Sequence, residues 1–192
     1  MKALHSLPDG YRQVYSLNMQ KDKKLMLLIN GMALVIGVIM AVPMHFVVSV
    51  LTLFDMEQGI GAYALRFVVL MAGVVIYIIL HELVHGIAMK LCGTKKVKYG
   101  FAGTYAFAGS TDYYDKKNYF FIALAPVILW GVVLAILNVF VPEQWFWVVY
   151  YIQIANVSGA AGDLYVTVKF SKMPKDILVT DSGVEMKVYS KQ

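Results

Sequence analysis

Two histidines and a glutamate lie close together in the run His81-Glu82-Leu83-Val84-His85. Residues four apart on a helix lie one above the other on the same face, so two imidazoles at this spacing can share one zinc ion. The glutamate after the first histidine then lies beside the metal, where its carboxylate can take a proton from water. The spacing predicts His81 and His85 as zinc ligands and Glu82 as a general base.

The composition indicates that these residues lie in a membrane protein. Hydrophobic residues make up 59% of the 192-residue chain and charged residues 15%, against roughly 45–50% and 25% in soluble domains. A soluble protein of this size could not cover so much apolar surface, so lipid is the expected solvent. No nucleic-acid partner is expected, because the basic residues flank apolar runs. The single cysteine, Cys92, excludes an internal disulfide and a zinc–thiolate cluster.

Four apolar segments are long enough to cross a hydrocarbon core, which needs about 20 helical residues. They are continuous rather than alternating, so helices are expected instead of a barrel. We predict an all-α membrane protein with a small β-hairpin between helices 2 and 3. The predicted spans cover residues 25–53, 64–91, 119–141 and 145–168, with polar tails at 1–24 and 169–192, in a single domain over 1–192.

Lysines and arginines alternate along the chain in a way that predicts its orientation. Residues 1–24 hold five of them, residues 90–118 hold six and residues 169–192 hold five, whereas the two other connections hold one, Arg66, and none. Positive charge collects on the cytoplasmic side of a membrane. Both termini and the long middle connection are therefore expected in the cytoplasm.

A third zinc ligand is needed, because a catalytic zinc usually has three protein ligands and one open position. His5 lies in the polar N-terminal tail and His45 in the outer half of the first span, so neither is well placed. Asp163 is the acid inside the fourth span, roughly 9 Å before its cytoplasmic end. His81 and His85 lie roughly 8 to 13 Å before the cytoplasmic end of the second span, so Asp163 is the candidate at the same depth.

Asn156 lies seven residues before Asp163, on the same helical face. Its amide could bind a substrate strand or orient a zinc ligand, or it could hydrogen-bond two helices together. The connection after the second span has aromatic residues at alternate positions from Val97 to Phe107, which is strand periodicity, and Gly103-Thr104 suits a two-residue turn. This hairpin could pair with an unwound substrate or could lie at the lipid headgroups.

These features resemble a known family. An intramembrane His81-Glu82-x-x-His85, followed two spans later by Asn156, Ser158-Gly159 and Gly162-Asp163, looks like the site-2 protease clan of intramembrane zinc proteases. It is more closely similar to a bacterial branch of small zincin membrane peptidases, which Leu124-Ala125-Pro126 also fits. The resemblance covers about residues 63–170. It implies His81, His85 and Asp163 as ligands of one zinc ion per chain, and Glu82 as the base.

The resulting expectation is a zinc metalloprotease, a hydrolase that performs intramembrane proteolysis. It would cleave a transmembrane or membrane-associated protein near the cytoplasmic face of a bacterial cytoplasmic membrane. Two other classes stay open at this stage. One is a catalytically inactive relative that serves as a scaffold for membrane proteins, and the other is a metal transporter that uses the same three ligands.

Overall fold

The computed structural model describes residues 2–18, 20–103 and 105–191. Along this described chain the structure is mainly helical, with a 3-10 helix (Val50–Phe54) between the first two α-helices. The elements in chain order are β1 (Tyr11–Asn18), α1 (Lys23–His45), α2 (Ile60–Leu91), β2 (Lys98–Ala102), β3 (Tyr105–Gly109), β4 (Tyr114–Asp115), α3 (Lys116–Phe140), α4 (Glu143–Gly159), α5 (Ala161–Ser171), β5 (Leu178–Asp181) and β6 (Glu185–Lys191).

Three helices of the described chain, α1, α2 and α3, are long and apolar enough to cross a membrane. Large apolar side chains along them, such as Leu34, Met71 and Val139, are mostly exposed. Exposure of this kind is costly in water and ordinary in lipid, so it agrees with an integral membrane protein. The first predicted span is too long, because α1 ends at His45 and a short 3-10 helix follows it.

The fourth predicted span, residues 145–168, is divided into α4 and α5. The division falls in a run of small residues, where Ala160 leaves the helical conformation with φ −79° and ψ 11°. Glycine weakens helices because it has the most backbone freedom to lose, and Gly159 and Gly162 flank this point. Asp163 consequently lies in the first turn of α5, where the helix dipole favours a negative charge.

A four-stranded antiparallel sheet, with strand order β1-β6-β5-β4, corrects the prediction of an all-α fold. The predicted polar tails supply three of its strands, and β4 comes from the connection between α2 and α3. The first and last strands are paired from Tyr11 with Lys191 to Asn18 with Glu185. A separate two-stranded antiparallel sheet joins β2 and β3. Its connection includes Gly103, which has φ +69°, while Thr104 of the predicted turn lies outside the described residues.

The chain forms two compact units. The sheet unit comprises Met1–Ile29, His81–Pro126 and Gly162–Gln192, and the helical unit comprises Asn30–Leu80 and Val127–Ala161. Each unit has its own apolar core. That of the sheet unit includes the fully buried Tyr114, Phe170, Val179 and Val188, and that of the helical unit is built on Leu53, Trp147 and Val148. The prediction of a single domain over 1–192 stays a prediction.

Candidate metal centre

Three ligand atoms from two helices converge in the sheet unit. His81 and His85 lie one turn apart on α2, each 8% exposed, with their Nε2 atoms 3.1 Å apart. Asp163 on α5 directs Oδ2 between them, 3.5 Å from His81 Nε2 and 3.6 Å from His85 Nε2. The structure thus brings together the three residues that the sequence singled out as a ligand set.

The separations among these atoms suit a zinc ion. Zinc binds nitrogen and carboxylate oxygen at about 2.0–2.2 Å in a tetrahedral arrangement, which sets neighbouring ligand atoms about 3.3–3.5 Å apart. The three observed separations, 3.1, 3.5 and 3.6 Å, cluster around that value. Two imidazole nitrogens and one carboxylate oxygen are also a donor set that zinc prefers.

The hydrogen bonds around this cluster also favour a bound cation. His85 Nδ1 lies 2.8 Å from the backbone carbonyl oxygen of Ile122. A carbonyl can only accept, so Nδ1–H is the donor, and Nε2 of a neutral His85 is left with a lone pair. An ionised Asp163 also only accepts. While both imidazoles are neutral, the three atoms share at most the single ring proton of His81, and a cation would satisfy all three.

Glu82 lies beside this ligand set. Ligand atoms of His81, Glu82 and His85 all lie within 4.8 Å of one another, so Glu82 is near enough to act on a group held there. Glu82 and Ala108 of β3 line the same cavity. Strand β3 of the hairpin therefore runs next to Glu82.

A cavity of about 90 Å³ opens beside Glu82, His85 and Asp163. Its other walls come from β3, α3 and the C-terminal strands, and they include Tyr105, Tyr119, Ile122, Asp181 and Met186. The hydroxyl of Tyr105 is buried and has no hydrogen-bond partner among the described residues. The cavity thus combines two residues of the ligand cluster, His85 and Asp163, with two further carboxylates, Glu82 and Asp181, and an unused donor.

Asp181 is a cavity residue that the sequence did not single out. Its Oδ2 accepts from the Tyr119 hydroxyl at 3.1 Å, and its Oδ1 accepts from the Gly183 backbone N–H at 2.8 Å. Burial raises the pKa of Asp181 to about 6 from its ordinary value of 3.8. In the sequence Asp181 begins the run Asp181-Ser182-Gly183, which is typical of a turn and does not indicate a catalytic or metal-binding role.

Residues 74–178 match the model of a protein family described as "Putative zincin peptidase". The chain belongs to this family. The matched range is more than half of the chain and includes His81, Glu82, His85 and Asp163. Zincin membership makes this a metallopeptidase-type chain and implies zinc as its metal.

One curated relative of this zincin chain comes from Pyrococcus woesei and is described as an uncharacterized 24.7 kDa protein in the gap 5'region. It is 34% identical over 118 residues, which cover 59% of this chain and 51% of the relative. The chain therefore spans about half the length of that relative. No solved structure matches.

Asn156 lies in the helical unit and not in the sheet unit with the ligand cluster. It is fully buried, its Oδ1 accepts from the Tyr77 hydroxyl at 2.9 Å, and its Nδ2 donates to the Val127 carbonyl at 3.1 Å. These bonds join α2, α3 and α4 within the helical unit, as expected of a residue that holds helices together. Its role in substrate binding or ligand orientation stays a prediction.

The two remaining histidines have partners elsewhere. His5 Nδ1 lies 2.9 Å from Asp112 Oδ1 within the sheet unit. His45 Nδ1 accepts from the backbone N–H of Val50 at 3.1 Å within the helical unit, where it closes the turn after α1. The sequence predicts neither of them as a zinc ligand, and neither is among the residues that converge at His81, His85 and Asp163.

Proposed function

We propose that this zincin chain is a zinc-dependent endopeptidase that cleaves a transmembrane or membrane-associated protein near the cytoplasmic face of a membrane. The observation that carries the proposal is the cluster of His81 Nε2, His85 Nε2 and Asp163 Oδ2 at mutual distances of 3.1 to 3.6 Å. Ionisable groups on apolar helices are expensive unless they are paired or bind a cation, so they usually serve a function.

The residues divide into ligands and a base. His81, His85 and Asp163 would hold one zinc ion per chain, and Glu82 would stay outside the ligand set as the proton carrier. When bound, zinc supplies Lewis acidity toward a carbonyl oxygen and toward water. The Glu82 carboxylate takes a proton from the attacking water and delivers it to the leaving nitrogen of the cleaved peptide bond. Ala108 of β3 lines the same cavity as that carboxylate.

The size of the cavity limits how a substrate can reach Glu82. At about 90 Å³ it is much smaller than the roughly 300–1,000 Å³ pockets that enclose whole small molecules. It can take a side chain or a short stretch of extended backbone, but not an intact helix about 10 Å across. A transmembrane substrate must therefore unwind locally before cleavage. The buried Tyr105 hydroxyl is then available to donate to one of its carbonyl groups.

The membrane arrangement is part of the same proposal. Both termini and the connection between α2 and α3 would lie in the cytoplasm of a bacterium, because residues 1–24, 90–118 and 169–192 hold sixteen of the seventeen lysines and arginines. We propose that α4 and α5 cross the membrane together as a fourth span, since residues 143–171 are enough for one crossing. Cleavage near the cytoplasmic face follows from the depth of the ligands on their helices.

The proposal is tested with the wild type and a Glu82→Gln variant, purified and in membranes that contain reporter proteins with one span each. Both proteins should bind one zinc ion per chain, measured by elemental analysis. Cleavage should fall about 100- to 10,000-fold in the variant, because the proton carrier is lost while the ligands stay. New peptide ends within the reporter spans, identified by mass spectrometry, report the cleavage.

Other outcomes identify the remaining classes. Full zinc occupancy with no cleavage that depends on Glu82 would support the inactive scaffold. Zinc uptake by wild-type proteoliposomes, at a rate that Glu82→Gln leaves unchanged, would support the transporter. Absence of bound zinc in the wild type would refute the proposed centre itself.

A further inference from the structure

Pro126 interrupts the hydrogen bonding of α3 at one particular carbonyl. In an α-helix each carbonyl accepts from the N–H four residues later, and proline has no N–H. The carbonyl of Ile122 therefore loses its usual donor, because residue 126 is proline. Ile122 is only 2% exposed, so water does not replace that donor. A buried carbonyl without a partner is destabilising, so this position needs a donor from elsewhere.

His85 supplies that donor. Its Nδ1 lies 2.8 Å from the Ile122 carbonyl oxygen, which requires the ring proton to be on Nδ1. The hydrogen bond made by one ring nitrogen determines which nitrogen is left for a metal. The bond to Ile122 thus leaves His85 Nε2 directed at His81 Nε2, 3.1 Å away, and at Asp163 Oδ2, 3.6 Å away.

We propose that Pro126 is a positioning residue of the metal centre, and that it acts by reserving the Ile122 carbonyl for His85. No atom of Pro126 has to touch the metal or the substrate for this role. Any other residue at position 126 would bring back an N–H that competes for the same carbonyl. The inference rests on the proposed zinc function, because the reserved Ile122 carbonyl serves to hold the His85 ring in the orientation for metal binding.

This role predicts that a substitution of Pro126 changes protein stability and zinc affinity in opposite directions. Replacing a proline inside a helix with alanine adds a backbone hydrogen bond and removes a steric clash, so it should stabilise α3 or leave it unchanged. The same change adds an N–H that competes with His85 Nδ1 for the Ile122 carbonyl, so the hydrogen bond that orients His85 is weakened or lost. Stability and zinc affinity should therefore change in opposite directions, whereas a purely structural proline would leave zinc affinity untouched or lower both together.

The experiment compares Pro126→Ala with Pro43→Ala. Pro43 is the matched control, because it lies inside α1 of the helical unit and its removal makes the same chemical change. Zinc affinity is measured by competition with a chelating dye, and thermal unfolding is followed by circular dichroism. Pro126→Ala should bind zinc about 10- to 100-fold more weakly, as expected for loss of a ligand's outer hydrogen-bond partner, with an unchanged or higher Tm. Pro43→Ala should keep wild-type zinc affinity within about twofold.

A second measurement needs neither metal nor turnover. In metal-free wild type labelled with 15N-histidine, His85 should show an Nδ1–H signal protected from solvent exchange, assigned by its loss in His85→Gln. Pro126→Ala should lose that protection. Zinc affinity unchanged in a folded Pro126→Ala, or no protected Nδ1–H in the wild type, would overturn the inference. If the wild type binds no zinc but shows the protected proton, the proposed function fails while the hydrogen bond stands.

Discussion

Two buried polar clusters, one in each unit, differ in their balance of hydrogen-bond donors and acceptors. In the helical unit, Asn156 and Tyr77 form a neutral cluster in which the amide oxygen accepts from a hydroxyl and the amide nitrogen donates to the Val127 carbonyl. In the sheet unit, His81, His85 and Asp163 bring together atoms that mostly accept. The first cluster is complete within the protein, and the second would be completed by a cation.

The difference shows how to judge polar residues on membrane helices. Burial alone does not separate the clusters, since Asn156 is fully buried and His81 and His85 are nearly so. The number of protons relative to lone pairs does separate them. A cluster with matched donors and acceptors joins helices, whereas one with a surplus of lone pairs at separations of about 3.3–3.5 Å suits a metal ion.

The largest expected effect concerns zinc affinity in the two clusters. Asp163→Ala removes one of three proposed ligands, and it should weaken zinc binding about 1,000-fold or more, beyond the 10- to 100-fold cost of losing an outer partner. Asn156→Ala, the matched change in the neutral cluster, should leave zinc affinity within about twofold. Competition with a chelating dye measures both. Full zinc retention in Asp163→Ala would refute the ligand assignment, and a large loss in Asn156→Ala would make Asn156 part of the centre.

A smaller effect, which depends on pH, is expected at Asp181 in the cavity beside the ligand cluster. The pKa of Asp181 is raised to about 6 from 3.8, so its protonated form favours folding. That stability is complete below about pH 3.8 and is lost as the pH rises through about 6. Asp181→Asn cannot ionise, so between pH 4 and pH 7 its unfolding free energy should gain about 2–3 kcal/mol relative to wild type. Denaturation in micelles at several pH values checks this, and a constant difference would contradict it.

The smallest expected effect belongs to the neutral cluster. Asn156→Leu removes the bonds to Tyr77 and Val127, and it should lower the unfolding free energy by about 1–2 kcal/mol. Tyr77→Phe removes only the hydroxyl and should cost about half as much. Neither cost should vary between pH 4 and pH 8, because this cluster has no group that ionises there. A cost that followed the pH would show that the cluster is coupled to an ionising site.

How much of the molecule could be predicted depends on how far apart in sequence the interacting residues lie. His81 and His85 are four residues apart on a helix, so their convergence follows from helix geometry alone. Asp163 could be added because Lys90 and Lys169 mark equivalent ends of two spans, which made depth comparable. Asp181 has no such marker, and only the folded chain brings it to the cavity beside Tyr119.

The division of the fourth span and the four-stranded sheet were not predicted, for different reasons. Hydropathy measures apolar length, and it does not detect that the small residues around Ala160 let a helix end inside an apolar run. The four-stranded sheet was not predicted because two of its pairings, β1 with β6 and β4 with β5, join residues that lie far apart in the chain. Only β5 and β6 are neighbours in sequence. Each strand alone is short and partly polar, and it resembles a solvated tail. Pairing at such a distance leaves no local pattern.

The pairing of β1 with β6 also has a consequence for biosynthesis. Asn18 cannot pair with Glu185 until Glu185 has been synthesised, roughly 170 residues later. At ordinary rates of synthesis this takes about 10–30 s. During that interval β1 has an unpaired edge, while α1, α2 and α3 can already enter the membrane. The sheet unit, which contains His81, His85 and Asp163, therefore closes last. A nascent chain should be fully inserted before it can hold a metal ion.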